Sequence, residues 1–181
     1  MQLALVGNSQ VSGLCLAEAG ARQTLFDGWP LDTRRFARLE VDPGSPALTA
    51  YRIDQAVLAA DRPVLLLAHA ASCATAAWWA KLSPARYVAR VAGAVFVEPA
   101  VRGGAAVPPG RLPFSSIVIG NDDHSQRQAA EWGSRLIDGP LPIAGAAPTS
   151  RLRATILRFT AAIVESDVET GRRLVEALGD R

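Results

Sequence analysis

"LLLAHAASCATAAWWA", residues 65–80, reads as a buried strand, a sharp turn and a helix. The run "RPVLLLAHA" (62–70) is continuously apolar from Pro63 to Ala68, as a parallel strand covered on both faces must be. "SCATAAWWAKL" (72–82) is the helix that follows, and it ends before Pro84, because the residue ahead of a proline is pushed out of the helical region. Between them, Ala68, Ala70, Ala71 and Ser72 are all small, so the chain can bend tightly there. Ala70, at the centre of the bend, presents only a methyl group.

Outward from this unit the same alternation recurs. "QLALVGNS" (2–9) predicts a strand running into a loop, and "VSGLCLAEAGA" (11–21) a short helix or a loop of small residues. "ARLEVD" (37–42) alternates and closes at Asp-Pro-Gly, a second strand and turn. "SPALTAYRIDQAVLAA" (45–60) predicts a helix with Ser45 as cap, Pro46 in its first turn, and Leu48, Tyr51, Ala56, Val57 and Ala60 near one face. "VAGAVFVEPA" (91–100) and "FSSIVIGN" (114–121) are further buried strands, with a Pro/Gly-rich loop (101–113) between them. "SQRQAAEWGSRL" (125–136) predicts a helix ending near Gly133, and "LIDG" (136–139) a short last strand. A C-terminal helical stretch covers 149–179; "SDVE" (166–169) has capping-box spacing and divides it into two helices in one reading. Its Leu152, Ile156, Phe159 and Ile163 form an apolar stripe that either completes the domain or makes a dimer contact.

Strands alternating with helices predict a three-layer α/β sandwich, a parallel sheet with helices on both faces, in a single domain spanning 1–181. Ligands on such sheets bind beyond the carboxyl ends of the strands. Four loops are expected to meet there: 7–12, 69–73, 98–103 and 120–125.

Composition narrows the function. With 49% hydrophobic residues, 20% charged residues and a net charge of +2, the 181 residues suit a packed domain and give no basic footprint for nucleic acid. The arginine pairs at 34–35 and 172–173 read as solvated helix faces. No apolar run approaches the about 18 residues that cross a bilayer, and no basic segment precedes "LALVG", so the expectation is a cytoplasmic protein without membrane contact. Cys15 and Cys73 read as reduced, packed thiols. Two histidines and two cysteines, scattered, form no metal set, and no cofactor is expected.

In order and spacing, five blocks of residues 38–137 resemble the small serine hydrolases related to retinoblastoma-binding protein nine, a compact branch of the α/β-hydrolase fold. "PVLLLAHAASCATAAWWA" resembles their strand, elbow and helix, "VAGAVFVEPA" the next strand, and "LPFSSIVIGNDD" the strand that ends in Asn-Asp. "AAEWGSRLID" resembles their following helix and strand, and "RLEVD" their second strand. The resemblance implies a Ser-Asp-His triad, with the nucleophile in the strained bend and the next backbone N–H donating to the oxyanion. By position the elbow is Ala68-His69-Ala70-Ala71-Ser72, so Ala70 stands where the nucleophile belongs. Asp122 matches the acid. The histidine belongs within 138–150, a stretch that contains none. A hydroxyl needs an adjacent base and the base an orienting group, so standard triad chemistry is not expected.

Other residues at the same rim offer substitutes. Ser72 reads as a displaced nucleophile or as a small cap, and Cys73 as a thiol near a helix N-terminus or as packing. His69 reads as a packed residue; His124, beside Asp122 and Asp123 in a loop, as a possible base or a solvent-facing loop histidine. Glu98 ends a buried strand as an acid–base group or an ion-pair partner of Arg102. Asn8 and Ser9 sit where the second oxyanion donor is expected, with Ala71 as the first, and turn chemistry explains the two loop residues equally well. Two functions follow. One is a pseudohydrolase that keeps a small-molecule cleft or binds a protein partner or a second copy of itself. The other is an enzyme, on esters or amides or in non-hydrolytic chemistry, that works through His124, Asp122 or Glu98. A Ser→Ala replacement at position 70 is also the usual way to make an inactive variant, although "AHSAS" would still lack its base.

Overall fold

The computed structural model describes residues 11–18, 36–42, 44–100, 107–138, 154 and 158–163. In chain order the elements are β1 (Ser12–Glu18), β2 (Ala37–Val41), α1 (Pro46–Ala59), β3 (Val64–His69), α2 (Ala71–Leu82), α3 (Ala85–Val88), β4 (Val91–Val97), β5 (Ser116–Ile119), α4 (Asp123–Trp132) and β6 (Arg135–Ile137). The six strands form one sheet in the order β2-β1-β3-β4-β5-β6, and every neighbouring pair is parallel. From β1 the chain moves outward to β2, then crosses back to β3 and continues the other way. The strand order therefore reverses between β1 and β3, and a crevice opens at the carboxyl ends of strands where such a reversal occurs.

The central strands explain why the sheet holds. Val64 to Ala68 are buried without a break. Leu66 and Ala68 point to one face with Leu14 and Leu16 of β1, against Ile53 and Val57 of α1, Cys73, Ala76 and Trp79 of α2, and Trp132 of α4. Leu65 and Leu67 point to the other face, with Cys15, Val95, Ile117 and Ile163. Each fully buried leucine contributes about 1.5–3 kcal/mol of transfer free energy. Residues 158–163 are helical and bring Ile163, with the partly buried Phe159, onto the second face. Helical chain thus covers both faces of the sheet. Gly93 permits this approach, since a Cβ there would collide with the Ile163 Cδ1 atom.

Three expectations change. Residues 12–18 are a strand, not a helix or loop. Ser12, Gly13 and Ala17 dilute its apolar signal, but pairing with β2 and β3 on both sides supplies what the side chains do not. The predicted strand 2–9 lies outside the described residues. The buried face of α1 is Thr49, Ile53 and Val57, at i, i+4 and i+8, whereas Leu48 and Tyr51 are 47% and 60% exposed. Ser45 stands at the N-cap of α1 but makes no side-chain cap; Asp42 closes the turn instead, its Oδ1 accepting from the Gly44 amide at 2.8 Å.

Apart from the short α3, which the sequence reading did not include, the remaining elements follow the sequence closely. α4 runs from Asp123 to Trp132, and Gly133 ends it in the left-handed region at φ 66°, as a C-terminal glycine does. Trp79 and Trp78 divide as neighbours on a helix must: Trp79 is fully buried, its Nε1 donating to Asp54 Oδ1 at 2.8 Å, and Trp78 is half-buried. Trp132 is buried against Phe96, the ring centres 4.9 Å apart. Of the C-terminal stripe, Leu152 and Ile156 lie outside the described residues.

Candidate active site

The bend after β3 is strained. Ala70 has φ 52° and ψ −126°, the geometry of the first central residue of a type II′ turn, which favours glycine. A side chain held there costs on the order of 1–3 kcal/mol and persists only where the surroundings impose it. Here they do: the Ala70 amide donates to the Val97 carbonyl at 3.0 Å, and the Ala70 carbonyl accepts from the Cys73 and Ala100 amides at 3.2 and 3.3 Å. Strand, bend and helix follow one another here as they do in a nucleophile elbow, with a methyl group at the apex of the bend.

The two candidates just past the apex are committed elsewhere. Ser72 is fully buried, and its Oγ accepts from the His69 amide at 2.9 Å. The same Oγ lies 2.9 Å from the Leu16 carbonyl and 2.6 Å from the His69 carbonyl, where its single proton is donated. It fastens the bend to β1. Cys73 is also fully buried, and burial pushes its thiol far above the usual range, the opposite of an activated nucleophile. Cys15 is free and buried likewise, pushed up to about 12.

The titratable rim is built from strand ends. His69, the last residue of β3, is half-buried; burial lowers its pKa, and the nearby Glu18 carboxylate opposes that shift. Glu98 follows β4 at φ 43°, its amide donating to the Ile119 carbonyl at 2.8 Å. Partial burial first, and the Asp122 carboxylate second, raise its pKa. Asp122 follows β5 and caps α4, its Oδ1 accepting from the Ser125 amide at 2.6 Å. That bond chiefly lowers its pKa, with smaller contributions from His124 and Arg127. His124 is not in a loop: it lies in the first turn of α4, half-buried. Asp122 thus begins a helix here, and its carboxylate is turned to that helix's own amides.

Sequence reading missed Glu18. The β1–β3 register sets Leu16 opposite Ala68, so two residues on Glu18 is level with Ala70. Strand alternation puts it on the face of Leu14 and Leu16, the face that α2 covers. Its Oε1 accepts the Ala71 amide at 3.1 Å. The signal was the alternation Leu14, Leu16, Glu18, legible only once residues 12–18 are known to be a strand.

Of the loop 7–12 expected at this rim, the structure describes only residues 11 and 12. Val11 and Ser12 lie at the amino end of β1, where Ser12 donates its amide to the Pro63 carbonyl at 2.9 Å. Asn8, Ser9, Arg102 and most of 138–150 lie outside the described residues. Two cavities, of about 710 and 420 Å³, also open at the amino ends of strands: one beside Val91, Ala92 and Ile163, the other beside Ser12 and Val64. Among the described residues no three His, Cys, Asp or Glu side chains gather as a metal set, and no helix is long and apolar enough to cross a membrane.

Comparison with known proteins agrees with this geometry. A YdeN-like hydrolase from Pectobacterium atrosepticum has a similar structure, with a TM-score of 0.69 at 16% sequence identity, over 85% of this chain and 92% of the other. At that identity the likeness is one of fold. No curated protein matches the sequence. The family model described as serine hydrolase matches residues 45–147, more than half of the chain and the whole elbow within it. The chain belongs to the serine hydrolase family.

Proposed function

We propose that this serine hydrolase relative is a pseudohydrolase that acts by binding a ligand or a partner rather than by turnover. The observation that carries the reading is Ala70 at the strained apex, φ 52°, with no hydroxyl to present. The surrounding groups add support. Ser72 Oγ is engaged by Leu16 and His69, the Cys73 thiol is protonated and enclosed, and Asp122 caps α4. A small molecule in a cleft beyond the strand ends, a protein partner, or a second copy of the chain is the binding target in this reading, with no cofactor required.

A second reading draws on the opposite displacements of Glu98, raised, and Asp122, lowered, at one rim. Carboxyl groups whose environments push them apart are suited to divide acid and base roles. In that reading His124, Asp122 and Glu98 serve esters, amides or a non-hydrolytic substrate. Turnover of short-chain nitrophenyl esters distinguishes the two. The pseudohydrolase reading predicts the same background rate for the native protein, His124→Ala and Glu98→Gln. A native rate above background that disappears in either variant overturns it.

A further inference from the structure

The backbone amide after the apex is the donor that an acyl-transfer elbow offers to a developing oxyanion. In this chain that donor has a partner of its own. Ala71 is buried, and its N–H points to Glu18 Oε1 at 3.1 Å. The pairing follows from the sheet: β1 and β3 are adjacent, Glu18 is level with Ala70, and its side chain leaves the face that carries α2. The position also lies at the reversal of strand order, where a ligand is expected.

We propose that Glu18 is an internal cap on the oxyanion position, an autoinhibitory contact that bars anions from the elbow. A carboxylate oxygen already occupies the place an oxyanion would take, in a charge-assisted bond. A second negative oxygen brought to the same N–H would meet Glu18 at contact distance, and like charges in a half-buried site repel strongly. The site therefore rejects carboxylates and tetrahedral anions even if a hydroxyl is restored at residue 70. The inference rests on reading Ala70 as the elbow apex, but its test is independent of activity.

The test is amide NMR on the full chain, with sodium butyrate as the anionic probe and sodium chloride as the ionic-strength control. In the native protein the Ala71 amide proton is expected downfield and unmoved by butyrate. In Glu18→Ala it moves upfield, exchanges with solvent about tenfold faster or more, as befits loss of a bond to a charged acceptor, and shifts saturably with butyrate. Glu18→Gln keeps the side chain's shape without its charge and gives an intermediate response, so the test stands if the alanine variant folds poorly. A native Ala71 amide that responds to butyrate as the variants do, or one indifferent to the residue at 18, overturns the cap. The two readings fail separately: phosphonylation of the protein contradicts catalytic silence, and the Ala71 amide alone judges the cap.

Discussion

Ser72 Oγ lies 2.9 Å from the Leu16 carbonyl oxygen, joining the first turn of α2 to the strand beside it. The hydroxyl that sequence position offered as a displaced nucleophile is a structural tie. Ser72→Ala leaves the His69 amide and the Leu16 carbonyl without this partner. It is expected to cost about 1–3 kcal/mol, read as a lower denaturation midpoint, without altering reactivity toward esters.

Gly93 and Ile163 touch where the C-terminal helical residues meet the sheet. Gly93→Ala is expected to destabilise by about 1–3 kcal/mol, the usual cost of overpacking a filled core. The cost shrinks in an Ile163→Ala background, which removes the closest clash and leaves only the tight approach to the Ser115 carbonyl oxygen at 3.0 Å. Equal costs in both backgrounds would mean that the two residues do not share this contact.

Asp122 serves α4 as its N-cap, and Asp122→Ala is expected to cost about 0.5–2 kcal/mol at neutral pH. The pH dependence follows from the lowered pKa. Because the folded value lies below the unfolded value of about 3.9, the cap stabilises fully above the latter and is lost as pH falls through the former. The native protein and the variant should therefore converge in stability in acid; a gap that persists there contradicts the capping role.

How far the sequence could be read depended on how strongly each segment announced its period. The runs Val64 to Ala68, Val91 to Val97 and Ile117 to Ile119 are apolar throughout, because both faces are covered, and such runs are hard to mistake. β1 lacks that signature: Ser12, Gly13 and Ala17 are small, and its place is fixed by hydrogen bonds to two neighbours. In α1 the large side chains Leu48 and Tyr51 drew the predicted core face away from Thr49 and Ile53, and only Val57 of the buried three was on it. At the site, Ala70 was legible from the local pattern of strand, bend and helix. Glu18 was not, since its meeting with Ala71 spans 53 residues and depends on the register of a strand the sequence hides.

Exposure to a fluorophosphonate followed by intact-mass measurement shows whether the bend is chemically silent. The predicted result is an unchanged mass, with Ser72 buried and spoken for and Ala70 unable to react. A stoichiometric phosphonyl adduct mapped to Ser72 would contradict it.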